Sequence, residues 1–290
     1  MAGALAAGPA ASDLGVFLRC TGKDDPREAL QAVRSLGLRM VQISGLPDRY
    51  YSAEGAREFA GLLKETGVRA TAVVVVYEGE SYKDMQAVRD TVGFLPKALM
   101  RQRIAHTRKC IDFASAVGVK IVTFHVGFVP ASPADPDYQR LTGAVGEVAQ
   151  YAAGKGVRIA LETGQESAEE LLAFIGRIKG ADVGVNFDIA NLVLYGKDDP
   201  PAALRKLMPK VTSVHIKDGT LPKEPGRLGS EARLGDGKAG VKQCLQILKD
   251  AHFDGPLVIE NYVAKRYQTE PVAELVRAKA SIEKDLAELR

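Results

Sequence analysis

Short, nearly unbroken apolar runs alternate along the chain with longer segments of helical periodicity. Eight runs read as strands: LGVFLR (14–19), LRMVQIS (38–44), VRATAVVVVY (68–77), VKIVTFHVGF (119–128), VRIALET (157–163), VGVNFDI (183–189), VTSVHIK (211–217) and PLVIEN (256–261). Their apolar residues are continuous rather than alternating, as expected of parallel strands covered on both faces. Helical patterns occupy 26–37, 52–67, 94–118, 137–156, 167–180, 200–208, 240–255 and 270–290. The first has proline in its opening turn and stops at Gly37; the second has Ser52 as its N-cap and stops at Gly67. Eight strands alternating with eight helices predict an α/β fold, a (β/α)8 TIM barrel. The rival doubly wound sheet needs a GxGxxG turn after the first strand, and none is there. Residues 14–290 read as one barrel domain. Residues 1–13 read as a loose tail, small and apolar but without the positively charged start of a secretory leader.

Composition narrows the partners. Apolar residues at 46% and charged residues at 26% are ordinary for a globular protein with a sizeable core. A net charge of +3 gives no footprint for nucleic acid or an anionic membrane, so neither is expected as a partner. Cys20, Cys110 and Cys244 are odd in number and widely separated, which argues against a disulfide framework and fits a cytoplasmic, reducing compartment.

The chemistry collects where strands end, because the βα loops of such a barrel carry its active site. IALETG ends on Glu162, GVNFDIAN carries Asp188 and Asn191, SVHIKDG carries His215, Lys217 and Asp218, and LVIENY carries Glu260. A single acidic residue at such a point is commonly the cap of the next helix. Four potential ligands on four consecutive strands are harder to explain that way. Three converging carboxylates repel one another unless a cation neutralises them. Oxygen-rich ligation with one imidazole suits Mn²⁺ first, with Mg²⁺ or Co²⁺ as alternatives. Such an ion can stabilise an enediolate as a Lewis acid.

The segments LETG, NFDIANL, HIKDG, RLGDG and VIENY, together with DMQAVRDTVGF and HVG, resemble the xylose-isomerase-like barrels of sugar and sugar-phosphate isomerases and epimerases. The resemblance runs from about residue 14 to the end. It implies Glu162, Asp188, His215 and Glu260 as ligands of one divalent ion, with Glu162 and Glu260 doubling as the acid–base pair. DIAN and HIKDG are similar to the hexulose-phosphate 3-epimerase pattern. Asn191 stands where free-ketose epimerases tend to have histidine, and no tryptophan is present for sugar stacking. The implied activity is a metal-dependent isomerase or 3-epimerase acting on a sugar or sugar phosphate, in a homodimer or homotetramer. Inosose-type dehydratases share the same metal frame. An endonuclease IV-like nuclease needs a histidine-rich zinc cluster, which four histidines scarcely supply. A sugar-binding barrel without catalysis is the remaining alternative.

Four further residues are candidate substrate contacts. His125 ends the fourth strand beside Glu162, and Asn191 follows Asp188 by three. Lys217 shares the inward side of its strand with His215, because side chains alternate. Arg233 lies in the long glycine- and charge-rich segment GTLPKEPGRLGSEARLGDG, which reads as a lid whose LGDG backbone could hold an anion. Gln165 and Glu166 are explained equally well as the start of the next helix, and His106 and His252 as structural residues.

Overall fold

The computed structural model describes residues 14–289, so the tail expected at 1–13 lies outside the described residues. Eight parallel strands close into a barrel: β1 (Leu14–Phe17), β2 (Met40–Ser44), β3 (Arg69–Val74), β4 (Ile121–Phe124), β5 (Arg158–Glu162), β6 (Gly184–Asp188), β7 (Val211–Ile216) and, after an inserted hairpin, β10 (Leu257–Ile259). Each pairs with its sequence neighbours, and β10 closes the cylinder against β1 with Leu14 opposite Leu257. The order β10, β7, β6, β5 along the barrel wall sets the four candidate ligand strands side by side.

The outer layer contains α1 (Pro26–Ser35), α2 (Ala53–Thr66), α3 (Met85–Thr91), α4 (Met100–Ala116), α5 (Pro136–Gly154), α6 (Ala168–Ile175), α7 (Asn191–Leu194), α8 (Pro200–Leu207), α9 (Val241–Asp250), α10 (Ala264–Tyr267) and α11 (Pro271–Glu288). Side-chain oxygens of Asp25, Ser52, Asp84, Asp135, Ser167 and Asp199 cap α1, α2, α3, α5, α6 and α8. Each satisfies a backbone N–H that the helix itself leaves unpaired. Among the described residues, no helix is long and apolar enough to cross a membrane.

Three local expectations differ from the structure. The helix expected from residue 94 starts at Met100, because Pro96 disfavours helical backbone just before it and Phe94 N–H is drawn to Val126 O at 3.0 Å. A Cβ on Gly93 (φ 67°) would lie 2.2 Å from Val126 O, so this crossing requires glycine. That crossing and Gly127 (φ 90°) end β4 at Phe124, short of the expected residue 128. The segment after β7, expected as a loop, contains a hairpin of β8 (Asp218–Thr220) and β9 (Ser230–Ala232).

Candidate metal centre

Polar groups sit in the barrel interior directly beside the expected ligands. Gln42, Asn186 and Ser213 are fully buried on β2, β6 and β7. Asn186 Nδ2 lies 3.1 Å from His215 Nε2, and Ser213 Oγ donates to Asn186 Oδ1. Gln42 Oε1 is 2.6 Å from the same His215 Nε2. Because that oxygen can only accept, it favours a proton on Nε2, which makes Nδ1 the nitrogen free to become a ligand when its own proton is released to a cation.

Nδ1 points at carboxylates. It lies 2.7 Å from Glu260 Oε2, 3.3 Å from Glu162 Oε1 and 3.6 Å from Asp188 Oδ2. One ligand atom from each of Glu162, Asp188, His215 and Glu260 falls within 4.8 Å of every other. His215 Nδ1, Asp188 Oδ2 and Glu260 Oε2 are buried with no aligned hydrogen bond. Lys217 adds the one ammonium, with Nζ 2.9 Å from Asp188 Oδ2 and 3.2 Å from Glu260 Oε1. Three carboxylates against this ammonium leave a net charge of −2 once the imidazole is neutral, as a metal ligand must be; without a cation, burial would lower His215, yet Glu162 and Glu260 hold it well above its ordinary value. Orphaned ligand atoms and that residual charge fit one divalent cation, and these four residues could hold it.

The charges perturb one another. Burial alone would raise Glu162 and Glu260, but His125 and His215 hold Glu162 below the usual carboxylate range, and Lys217 and His215 do the same for Glu260. Burial would lower Lys217, yet Asp188 and Glu260 hold it well above its ordinary value.

The other expected contacts divide. His125 lies at the site, its Nε2 3.5 Å from Glu162 Oε1 and its Nδ1 buried without a partner. Asn191 lies there too, but its amide bonds inward, to Thr163 O at 3.0 Å and Glu162 Oε1 at 3.4 Å, while its N–H donates to Asp188 Oδ1 at 2.8 Å. It braces two ligands. Lys217 is likewise held inside the quartet. Arg233 is not brought to the site: its guanidinium forms a two-pronged pair with buried Glu274, at 2.9 and 2.6 Å, and stacks 4.0 Å from the Tyr267 ring. The LGDG backbone does hold an anion, but the anion is Asp218. Its carboxylate accepts from the N–H groups of Gly219, Gly235, Gly237 and Ala239 at 2.8–3.1 Å. A Cβ on Gly237 would lie 2.0 Å from Asp218 Oδ1. The expected lid is therefore tied down at its root.

A cavity of about 600 Å³ opens above the quartet, in the size range of small-molecule sites. Its lining adds residues that sequence reasoning missed, notably Tyr82, Tyr195, Glu231 and Tyr262. Tyr82 reaches over His125, with ring centroids 5.9 Å apart. Glu231, on β9, is pushed up to about 7 by burial, with Lys217 opposing. No local signal marks these residues, since they reach the cavity from separate loops.

Residues 30–285 match the family described as xylose isomerase-like TIM barrel. The chain belongs to that family. A xylose isomerase domain protein from Planctomyces limnophilus superposes with a TM-score of 0.83 at 33% identity, over 90% of this chain and 92% of that one. The L-ribulose-5-phosphate 3-epimerase UlaE of Escherichia fergusonii is 23% identical over 265 residues, 87% of each chain. A match to the uncharacterized protein YihM of Escherichia coli, at 25% identity, spans 68% of this chain and 63% of YihM. The D-psicose 3-epimerase of Clostridium cellulolyticum H10 shares the fold, with a TM-score of 0.71 at 17% identity, over 96% of this chain and 99% of that one. Relatives of this chain thus include sugar epimerases.

Proposed function

We propose that the protein is a divalent-metal-dependent ketose 3-epimerase, with Glu162 and Glu260 as its acid–base pair. The observation that carries this reading is their placement. They stand at the end of β5 and directly after β10, the outer strands of the quartet, each within 3.3 Å of His215 Nδ1. A sugar lying over the quartet would present one face to each carboxylate. Inverting a carbon needs this arrangement, because a proton leaves one face and another arrives on the opposite face. A divalent ion held by Glu162, Asp188, His215 and Glu260 would neutralise the carboxylates and polarise the substrate carbonyl and hydroxyl.

The protein's own groups complete the chemistry. Asn191 and His125 hold Glu162 in position, and Lys217 anchors Glu260. One glutamate takes the proton next to the carbonyl and the other returns one to the same carbon, which contributes roughly 10²–10⁴-fold in rate. His125 also lines the cavity beside Glu162, within reach of a substrate bound there. The test is Glu162→Gln and Glu260→Gln, assayed by NMR in deuterated buffer against a panel of ketoses, with metal content measured in parallel. Net conversion should vanish in both. Each single variant should exchange the proton only from the epimer that faces its remaining glutamate. Unimpaired conversion by either metal-loaded variant would refute the assignment. Exchange at two adjacent carbons would indicate an aldose–ketose isomerase, and loss of water from the product a dehydratase.

A further inference from the structure

Resting on the epimerase reading, we infer that Glu231 determines substrate class: it accepts a hydrogen bond from an uncharged hydroxyl at the non-reacting end of the ketose and disfavours a phosphate there. Apart from two exposed cations at the cavity mouth, the groups that could bind phosphate are already used elsewhere. A phosphate carries close to two negative charges near neutral pH and is held by fixed cations or converging N–H groups. Lys217 is committed to Asp188 and Glu260. Arg233 is committed to Glu274, outside the cavity lining. The N–H groups of LGDG converge on Asp218. Arg19 and Lys83 do line the cavity, but both are exposed at its mouth, where water screens them.

Two acidic side chains outside the quartet line the same cavity, Glu80 and Glu231. Glu80 is spent on the backbone, since its two oxygens accept from Tyr77 N–H at 3.2 Å and Gly93 N–H at 2.8 Å. Glu231 is spent by half: Oε1 accepts from Tyr262 N–H at 2.6 Å, and Oε2 makes no hydrogen bond among the described residues. Its carboxylate forms no ion pair with a Lys, Arg or His among the described residues. The hairpin β8–β9 fixes its position. Asp218 holds the hairpin's root, and Arg266 Nη1 donates to Glu231 O at 2.6 Å. An acceptor held this firmly at the wall suits a sugar hydroxyl, and in its ionised form it repels a phosphate dianion.

The experiment uses Mn²⁺-loaded wild type, Glu231→Gln and Glu231→Ala. Solvent-deuterium exchange is followed by NMR with ketopentoses and ketohexoses, free and phosphorylated at the terminal carbon. Wild type should favour the free ketose by at least about tenfold in kcat/KM. Glu231→Ala should raise KM for the free ketose about 10- to 100-fold, as expected for losing a hydrogen bond to a charged group, with kcat within a few-fold. Glu231→Gln keeps the acceptor for Tyr262 N–H and the fold of the hairpin, so it should mainly narrow the gap between free and phosphorylated substrate. A wild-type preference for phosphorylated ketose that disappears in the Arg19→Ala/Lys83→Ala variant would overturn this inference while leaving the epimerase reading standing. Unchanged KM and unchanged discrimination in both Glu231 variants would also overturn it. Absence of exchange with any ketose would overturn the epimerase reading, and this inference with it.

Discussion

Replacing Gln42 by Leu should weaken metal binding without touching a ligand. Gln42 Oε1, at 2.6 Å, is the acceptor that keeps the proton on His215 Nε2. The competing neighbour is Asn186 Nδ2, 3.1 Å from the same nitrogen and a donor. Ser213 Oγ donates to Asn186 Oδ1 and so holds that amide in its orientation. With Gln42 gone, the group left beside Nε2 donates rather than accepts. The ring then gains by moving its proton to Nδ1, where it faces Glu162, Asp188 and Glu260 and blocks the ligand lone pair. Losing a hydrogen-bond partner of a metal-binding histidine typically costs 10- to 100-fold in affinity, equivalent to about 1.4–2.7 kcal/mol. Chelator-stripped wild type, Gln42→Leu and Gln42→Glu would be titrated with Mn²⁺ by calorimetry, and the stability of each metal-free protein measured by urea unfolding. Gln42→Glu retains an acceptor and should bind within a few-fold of wild type. A Gln42→Leu affinity within twofold of wild type, in a folded protein, would refute the argument.

Two further outcomes follow from groups outside the quartet. Glu166 is pushed up from 4.5 to about 8 by burial; one oxygen accepts from Val129 N–H at 2.9 Å and the other has no partner. Between those values the folded state binds the extra proton, so stability falls as pH rises, by up to about 5 kcal/mol at ~1.4 kcal/mol per pH unit. Glu166→Gln should be more stable than wild type at pH 8 and lose less stability from pH 5 to 8 in urea titrations; an unchanged slope would exclude Glu166 as its source. Arg233→Ala should cost about 1–2 kcal/mol by leaving buried Glu274 with only the Thr269 hydroxyl and exposed Arg277. KM for free and phosphorylated ketoses should stay at the wild-type value, and a selective rise with the phosphorylated ketose would return Arg233 to the site.

The sequence by itself determined the barrel and the convergence of its four candidate ligands, because both are written in local patterns. Continuous apolar runs between amphipathic segments specify parallel strands covered by helices. A ligand type just past each run specifies the mouth of the barrel, and closure then brings Glu162, Asp188, His215 and Glu260 together. What only the tertiary structure decided depends on partners far apart in the chain. Gln42 meets His215 from 173 residues away, and Arg233 finds Glu274 at a separation of 41. Lys217 and Asn191 stand where a substrate contact was expected, yet the nearest charges are the candidate ligands themselves, and short-range electrostatics commit both side chains inward. LGDG offers an anion site whose occupant, Asp218, already stands at the root of the same hairpin. Glu231 reaches the cavity because a hairpin forms in a segment too rich in glycine and charge to announce a strand. Periodicity reports the burial of one element at a time; the pairing of charges is settled when the cylinder closes and fixes their distances.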